Sequence, residues 1–341
     1  MHLYNFKTIT SLIALISASI ITILFCLSTS MVEAKLYNET GNQIKTIGAW
    51  APLQPNLEYI NDSSKQKSQI NNLLSEGINE YYLIMHDLDK ISINKTEDFL
   101  KTADLTPINV LIILLPPSEG GKNGNYDWQG WMNYFNSLKS MHKSFKGFVI
   151  DDFNANYIVY GKKFQNNVEY MNSSNLLSAL SHKSQSISFY PVLYIESGSI
   201  AAVKRIYGNF ISGIILSSTI PERITNLEEN IKLISTFFDK KPVKYIVYPF
   251  RDNISKPLDN NILKSTLFIA SRTADGIIIY VDVTNPVIQY YLHNRSNSDY
   301  LFIIKETEKA RLKQENDMFL KERRDIYICT SCLNGNFHII K

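Results

Sequence analysis

The sequence predicts a (β/α)8 TIM barrel carrying a short C-terminal helix-plus-hairpin extension. Three observations predict it. Eight short apolar runs recur about every thirty-odd residues, each ends in a polar or turn cluster, and each interval between runs is long enough for one helix. The runs occupy residues 45–51, 80–87, 109–116, 145–152, 186–196, 211–218, 243–250 and 275–282. Strand, crossover helix, next strand is the unit of a parallel sheet. Eight such units close into a barrel whose chemistry sits at the C-terminal strand ends.

The first run, Thr46-Ile47-Gly48-Ala49-Trp50-Ala51, gives way to a Pro-rich loop from Pro52 to Pro55. Ile70, Leu73 and Leu74 have helical spacing within 65–76, and Gly77 stands where a helix C-cap belongs. The second run is almost continuously apolar from Tyr81 to Met85, as for a strand covered on both faces. The third runs into Pro116-Pro117 and a Gly-rich loop that delivers Trp128. Trp131, Tyr134, Phe135 and Leu138 then mark the buried face of the next helix. The fourth ends in Phe148-Val149-Ile150-Asp151-Asp152-Phe153, and the long non-periodic stretch 154–174 after it reads as a lid over the barrel mouth. The fifth ends at Glu196, the seventh leads into Arg251-Asp252, and the eighth ends at Asp282. Asn285-Pro286 then reads as the cap and first residue of a helix. Residues 35–300 make the barrel. Residues 301–341 form the appendage, a charged helix followed by a hairpin around Asn334-Gly335.

Residues 1–34 lie outside the fold. Lys7 precedes an apolar run from Ile9 to Leu27, and Val32-Glu33-Ala34 offers small residues where a signal peptidase cuts. The run is also near the roughly 20 residues that span a bilayer. The segment is therefore a signal peptide or an N-terminal membrane anchor, and both place the rest of the chain at the cell surface or in the secreted pool. Sequons at Asn38, Asn61, Asn94, Asn172, Asn253 and Asn294 are compatible with N-glycans on an exported chain, or with chance in an Asn-rich one. Cys329 and Cys332, spaced Cys-x-x-Cys, lack the further ligands a zinc site needs and read as a disulfide. A net charge of +3 without a basic, aromatic-interleaved cluster argues against nucleic acid.

Candidate chemistry gathers at the strand ends. Alternation along a parallel strand puts Asp151 in the barrel mouth with Val149 and Phe153 on its side, and turns Asp152 toward the adjoining loop. Two consecutive carboxyls after an apolar run need a partner or the cleft's solvent. Glycoside hydrolysis needs one protonated and one ionised carboxyl, and Asp151 or Asp152 with Glu196 on the next strand supplies the pair. Asp87, Arg251 and Asp282 at neighbouring strand ends are expected to contact substrate hydroxyls. Trp50 and Trp128 are expected as exposed platforms for a sugar ring. His86, Asp87 and Asp89 lack a metal-ligand pattern, and no metal is assigned. Gly120-Gly121-Lys122 lacks phosphate-loop spacing, no G-x-G-x-x-G follows the first strand, and no cofactor is indicated.

The segment Lys146-Gly147-Phe148-Val149-Ile150-Asp151-Asp152-Phe153, with Trp50 and an acid ending the fifth run, resembles glycoside-hydrolase-like (β/α)8 barrels. It is similar in outline to the chitinase-type fourth strand, where a Gly and an apolar run lead to catalytic carboxylates. Asp151 matches one of that family's acidic positions. Phe153 stands where the family has its catalytic Glu, and Val149 where it has an earlier Asp. The resemblance implies the fold, and a carbohydrate ligand, more than the usual substrate-assisted reaction.

The expectation is an exported glycoside-hydrolase-like barrel acting on extracellular polysaccharide or glycans through a carboxylate pair. Two rivals stand beside it: a non-catalytic barrel that binds glycan or a cell-envelope partner, and a metal-dependent hydrolase using Asp87, Asp151 and Asp152.

Overall fold

The computed structural model describes residues 46–50, 57–115, 127–154, 173–195, 200–218, 226–250, 257–280 and 284–294. Eight parallel strands close into one barrel in chain order. They are β1 (Thr46–Trp50), β2 (Glu80–Met85), β3 (Asn109–Leu114), β4 (Phe145–Ile150), β5 (Ser188–Tyr194), β6 (Ile214–Ser217), β7 (Val243–Val247) and β8 (Gly276–Tyr280). Each lies inside one of the eight apolar runs. Closure is made by β1 against β8, with Thr46 opposite Gly276 and Trp50 opposite Tyr280. The described helices alternate with them: α1 (Ser63–Ser75), α2 (Lys90–Ala103), α3 (Trp128–Met141), α4 (Ser173–Ser181), α5 (Ile200–Tyr207), α6 (Leu227–Phe237), α7 (Asn260–Thr273) and α8 (Pro286–Asn294).

Local chemistry sets the helix ends. Asp62 accepts from the N–H groups of Ser64 and Lys65 at 2.9 and 3.1 Å, and so starts α1 earlier than its apolar spacing suggested. Asp89, Asp127 and Asp259 cap α2, α3 and α7 in the same way. Such a cap contributes about 0.5–2 kcal/mol. Gly77, at φ 76°, closes α1: its N–H reaches Leu74 O, and Ile78 N reaches Leu73 O, both at 2.9 Å. Asn285 caps α8 through Val287 N at 2.9 Å, as expected.

Strand side chains alternate between two dry layers. Tyr82, Leu111, Val149, Val192, Ile246 and Ile278 pack inside the barrel. Phe148 faces outward, stacked on Phe135 of α3 at 4.8 Å and on Phe189 of β5 at 5.0 Å. Burial on both faces explains why the strands read as unbroken apolar runs.

The barrel's N-terminal end is closed by charge. Lys244 Nζ lies 2.8 and 2.7 Å from the two Glu80 carboxylate oxygens and 3.2 Å from the Tyr82 hydroxyl. It also sits over the Tyr190 ring at 4.7 Å. Glycine makes room for this cluster: a Cβ on Gly48 would stand 2.4 Å from the Tyr82 ring, and one on Gly213 would stand 2.5 Å from Tyr190.

The segments 1–34 and 301–341, read as leader and appendage, lie outside the described residues, as do residues 155–172 of the 154–174 stretch read as a lid, and Cys329 and Cys332. No helix among the described residues is long and apolar enough to cross a membrane.

Candidate functional site

The opposite end of the barrel is where the carboxyl pair lies. The N–H of Asp151 still bonds to Leu114 O of β3 at 3.1 Å, so Asp151 keeps the strand's alternation and follows Gly147 and Val149 on the interior side. It is buried, at 7% exposure. The next residue breaks the pattern. Asp152 adopts φ 45°, in the left-handed region that Asp tolerates better than most side chains. Its N–H donates to its neighbour's carboxylate, Asp151 Oδ1, at 2.8 Å.

This turn corrects two expectations. Asp152 was expected to face the adjoining loop, yet its carboxyl hydrogen-bonds the side chain of Tyr194, the interior-facing last residue of β5. The positive φ swings it back, so consecutive carboxyls converge on the mouth. Phe153 was expected on the Asp151 side, but it is fully buried in the helix layer, edge-on to Phe189 at 5.8 Å and to Tyr207 of α5 at 5.1 Å. Alternation ends where the strand ends.

A third residue of the turn fixes the neighbouring strand. Asn154, fully buried, accepts from Tyr194 N at 2.8 Å and donates to Tyr194 O at 2.9 Å. Its amide stands in for the strand backbone that β4 no longer provides.

The two carboxyls border a wall of phenols. Tyr194, Tyr248 and Tyr280 are half-buried at the ends of β5, β7 and β8. The Tyr248 hydroxyl lies 2.9 Å from Ser217 Oγ, and its ring lies 4.8 Å from that of Tyr280. Burial pushes the Asp152 carboxyl above the ordinary aspartate range, and the hydrogen bond from Tyr194 only partly offsets this. Burial, reinforced by the Tyr248 hydroxyl and the two carboxylates, also holds Tyr194 far above the usual phenol range. Both tyrosines therefore remain neutral hydroxyls that can give or accept hydrogen bonds.

Trp50 and Trp128 are not the exposed platforms expected of them. Trp50 is 1% exposed, stacked on Tyr82 at 5.7 Å and tilted against Tyr280 at 6.1 Å. Trp128, the first residue of α3, is 5% exposed. Neither presents an open face: a large ring next to a strand end gains more from packing than from solvent. Trp50 backs the wall that Tyr280 presents. Tyr280 was not singled out from sequence, although its place at the end of the eighth run was the available signal.

Asp87 lies at the end of β2, half-buried, with its carboxylate accepting from Leu88 N at 2.8 Å, while the adjacent Asp89 is spent on capping α2. Among the described residues no group of three His, Cys, Asp or Glu is placed to hold a metal ion. Glu196, Arg251 and Asp282 lie outside the described residues. A separate polar hollow of about 400 Å³ lies near the N-terminal ends of β4 and β5. Its polar groups are committed to structure: Asn136 bridges His182 O and Ser184 N, and Lys139 binds Phe145 O.

No protein-family model matches the chain, and no curated protein does. Among solved structures it is similar to a GH99 endo-alpha-mannosidase from Bacteroides thetaiotaomicron, with 12% identity, 80% of this chain and 84% of that one covered, and a TM-score of 0.47. It is similar also to a tamarind chitinase-like lectin, with 11% identity, 75% and 97% covered, and a TM-score of 0.42. A tryptophan synthase from M. tuberculosis matches at 10% identity, with 74% and 91% covered and a TM-score of 0.43. At these values the likeness says nothing of chemistry. The architecture rests on the closed eight-strand topology itself.

Proposed function

We propose that the chain is an exported glycoside-hydrolase-type barrel that cleaves glycosidic bonds of extracellular polysaccharide or glycans at the mouth formed by Asp151 and Asp152. One observation carries the reading. Two adjacent carboxyls converge at the C-terminal end of a closed barrel, one of them held toward its protonated form by burial, against half-buried tyrosine rings. Glycosidases divide their work in this way: a protonated carboxyl gives its proton to the leaving oxygen as the C–O bond breaks. An ionised carboxylate takes a proton from the attacking water, or attacks the anomeric carbon to give an ester that water then cleaves. Asp152 fits the acid. Asp151 and Glu196 are the candidates for the ionised partner. Tyrosine faces suit the apolar face of a sugar ring, and their hydroxyls suit its oxygens. Arg251 and Asp282, at the ends of the seventh and eighth runs, are proposed to contact substrate.

The test is sugar release from mixed glycans by the chain from Lys35 onward, with and without EDTA, beside Asp151→Asn, Asp152→Asn and Glu196→Gln. Release that resists EDTA and falls about 10²- to 10⁴-fold in Asp152→Asn, and in Asp151→Asn or Glu196→Gln, supports the reading. Loss on chelation with recovery on added metal would instead assign a metal-dependent hydrolase. Glycan binding that survives removal of both Asp151 and Asp152, with no release, would assign a binding barrel.

A further inference from the structure

We infer that Tyr194, backed by Tyr248 and Ser217, is a positioning residue that holds the Asp152 carboxyl in the mouth and moderates its grip on a proton. The inference rests on the hydrolytic reading for its purpose, but its geometry stands apart from it. Asp152 leaves the strand path at φ 45°, so nothing in the β4 ladder fixes its side chain. Its orientation depends on the side chains it meets, and the Tyr194 hydroxyl is one of them. Tyr194 in turn is pinned at its backbone on two sides. Asn154 grips both its N–H and its C=O, and the following N–H, of Ile195, bonds to Ser217 O at 3.2 Å.

From Tyr194 the hydroxyls continue across the barrel. The Tyr248 hydroxyl, from just past β7, reaches both the Tyr194 hydroxyl and Ser217 Oγ, the latter at 2.9 Å. Residues of four strand ends thus form one chain: Ser217, Tyr248, Tyr194, Asp152. Among the described residues, the titratable groups facing it are Asp151 from β4 and Tyr280 from β8. A hydroxyl that donates to a carboxylate favours its ionised form. Burial pulls Asp152 the other way, so this one hydrogen bond tunes the balance at the acid.

The experiment is a pH titration of the full chain labelled with ¹³C at aspartate carboxyls, the Asp152 signal being identified by its loss in Asp152→Asn. Tyr194→Phe removes one oxygen and is expected to move the Asp152 midpoint upward, a change that a merely structural role would not produce. An unmoved or lowered midpoint in folded Tyr194→Phe overturns the inference. Should that variant not fold, Tyr248→Phe is read in its place: an upward move supports the chain of hydroxyls and a fixed midpoint overturns it. No substrate enters the titration, so the two ideas fail separately. A shifted midpoint beside an inert wild type would sink hydrolysis alone, and normal hydrolysis beside a fixed midpoint would sink the role of Tyr194 alone.

Discussion

The two ends of this barrel bury carboxyl groups in opposite ways. At the N-terminal end Glu80 meets Lys244 through two short contacts, with the Tyr82 hydroxyl completing the cluster. Nearby, burial alone would raise the Asp104 carboxyl, but hydrogen bonds from Ser144 and from His142, 2.8 and 2.7 Å away, bring it below the ordinary range. At the C-terminal end Asp152 meets a phenol, and burial wins, so its carboxyl is raised. A carboxylate surrounded by donors is spent on holding the fold. A carboxyl held toward its acid form beside aromatic rings stores free energy that a reaction can use. On the proposed reading, the difference separates a structural end from a working end.

The largest expected effect tests the structural end. Glu80→Gln leaves Lys244 charged and buried, which should cost about 3–5 kcal/mol in denaturant unfolding. Pairing it with Lys244→Met should recover most of that loss. Gly48→Ala comes next: its Cβ would stand 2.4 Å from the Tyr82 ring, and overpacking of this kind costs about 1–3 kcal/mol. Asp104→Asn should cost about 1 kcal/mol at pH 7. Because this carboxyl is lowered in the folded chain, the stability it contributes is present above the ordinary aspartate range and lost as pH falls through the lowered value. Melting curves at pH 7 and in acid should therefore show the gap to wild type closing in acid.

Asp152 should behave with the opposite sign. A carboxyl raised on folding binds its proton more tightly in the folded chain than in the unfolded one. Stability then falls as pH climbs from the ordinary aspartate range through the raised value. Asp152→Asn tolerates the same left-handed backbone and should melt slightly above wild type at pH 7, with the advantage vanishing in acid. A variant less stable than wild type at pH 7 would mean that the Asp152 charge helps hold the mouth together.

Much of this architecture was legible in the sequence. All eight strands fall in the apolar runs because each is covered on both faces, and burial writes itself into composition. The Asp caps were less visible: α1 starts at Ser63, since Asp62 recruits two polar residues that apolar spacing ignores. The carboxyl pair was legible in its place at the end of β4 and not in its orientation. Period-two reasoning carries Asp151 correctly into the interior and fails one residue later, because a positive φ at an aspartate leaves no mark in an apolar pattern. Exposure was read wrongly for Trp50, since sequence places it beside a loop without revealing the Tyr82 and Tyr280 rings that cover it. The Tyr194 contact joins residues of two different strands, and no local pattern reports which strand ends face each other.

The most direct test of the central claim compares the two ends in one assay. Sugar release is measured for wild type, Asp152→Asn and the Glu80→Gln/Lys244→Met pair, each first shown to be folded. The account predicts release from wild type and from the paired variant, with a loss of about 10²- to 10⁴-fold in Asp152→Asn alone. Undiminished release from Asp152→Asn, or its abolition only when the Glu80–Lys244 pair is replaced, would contradict it.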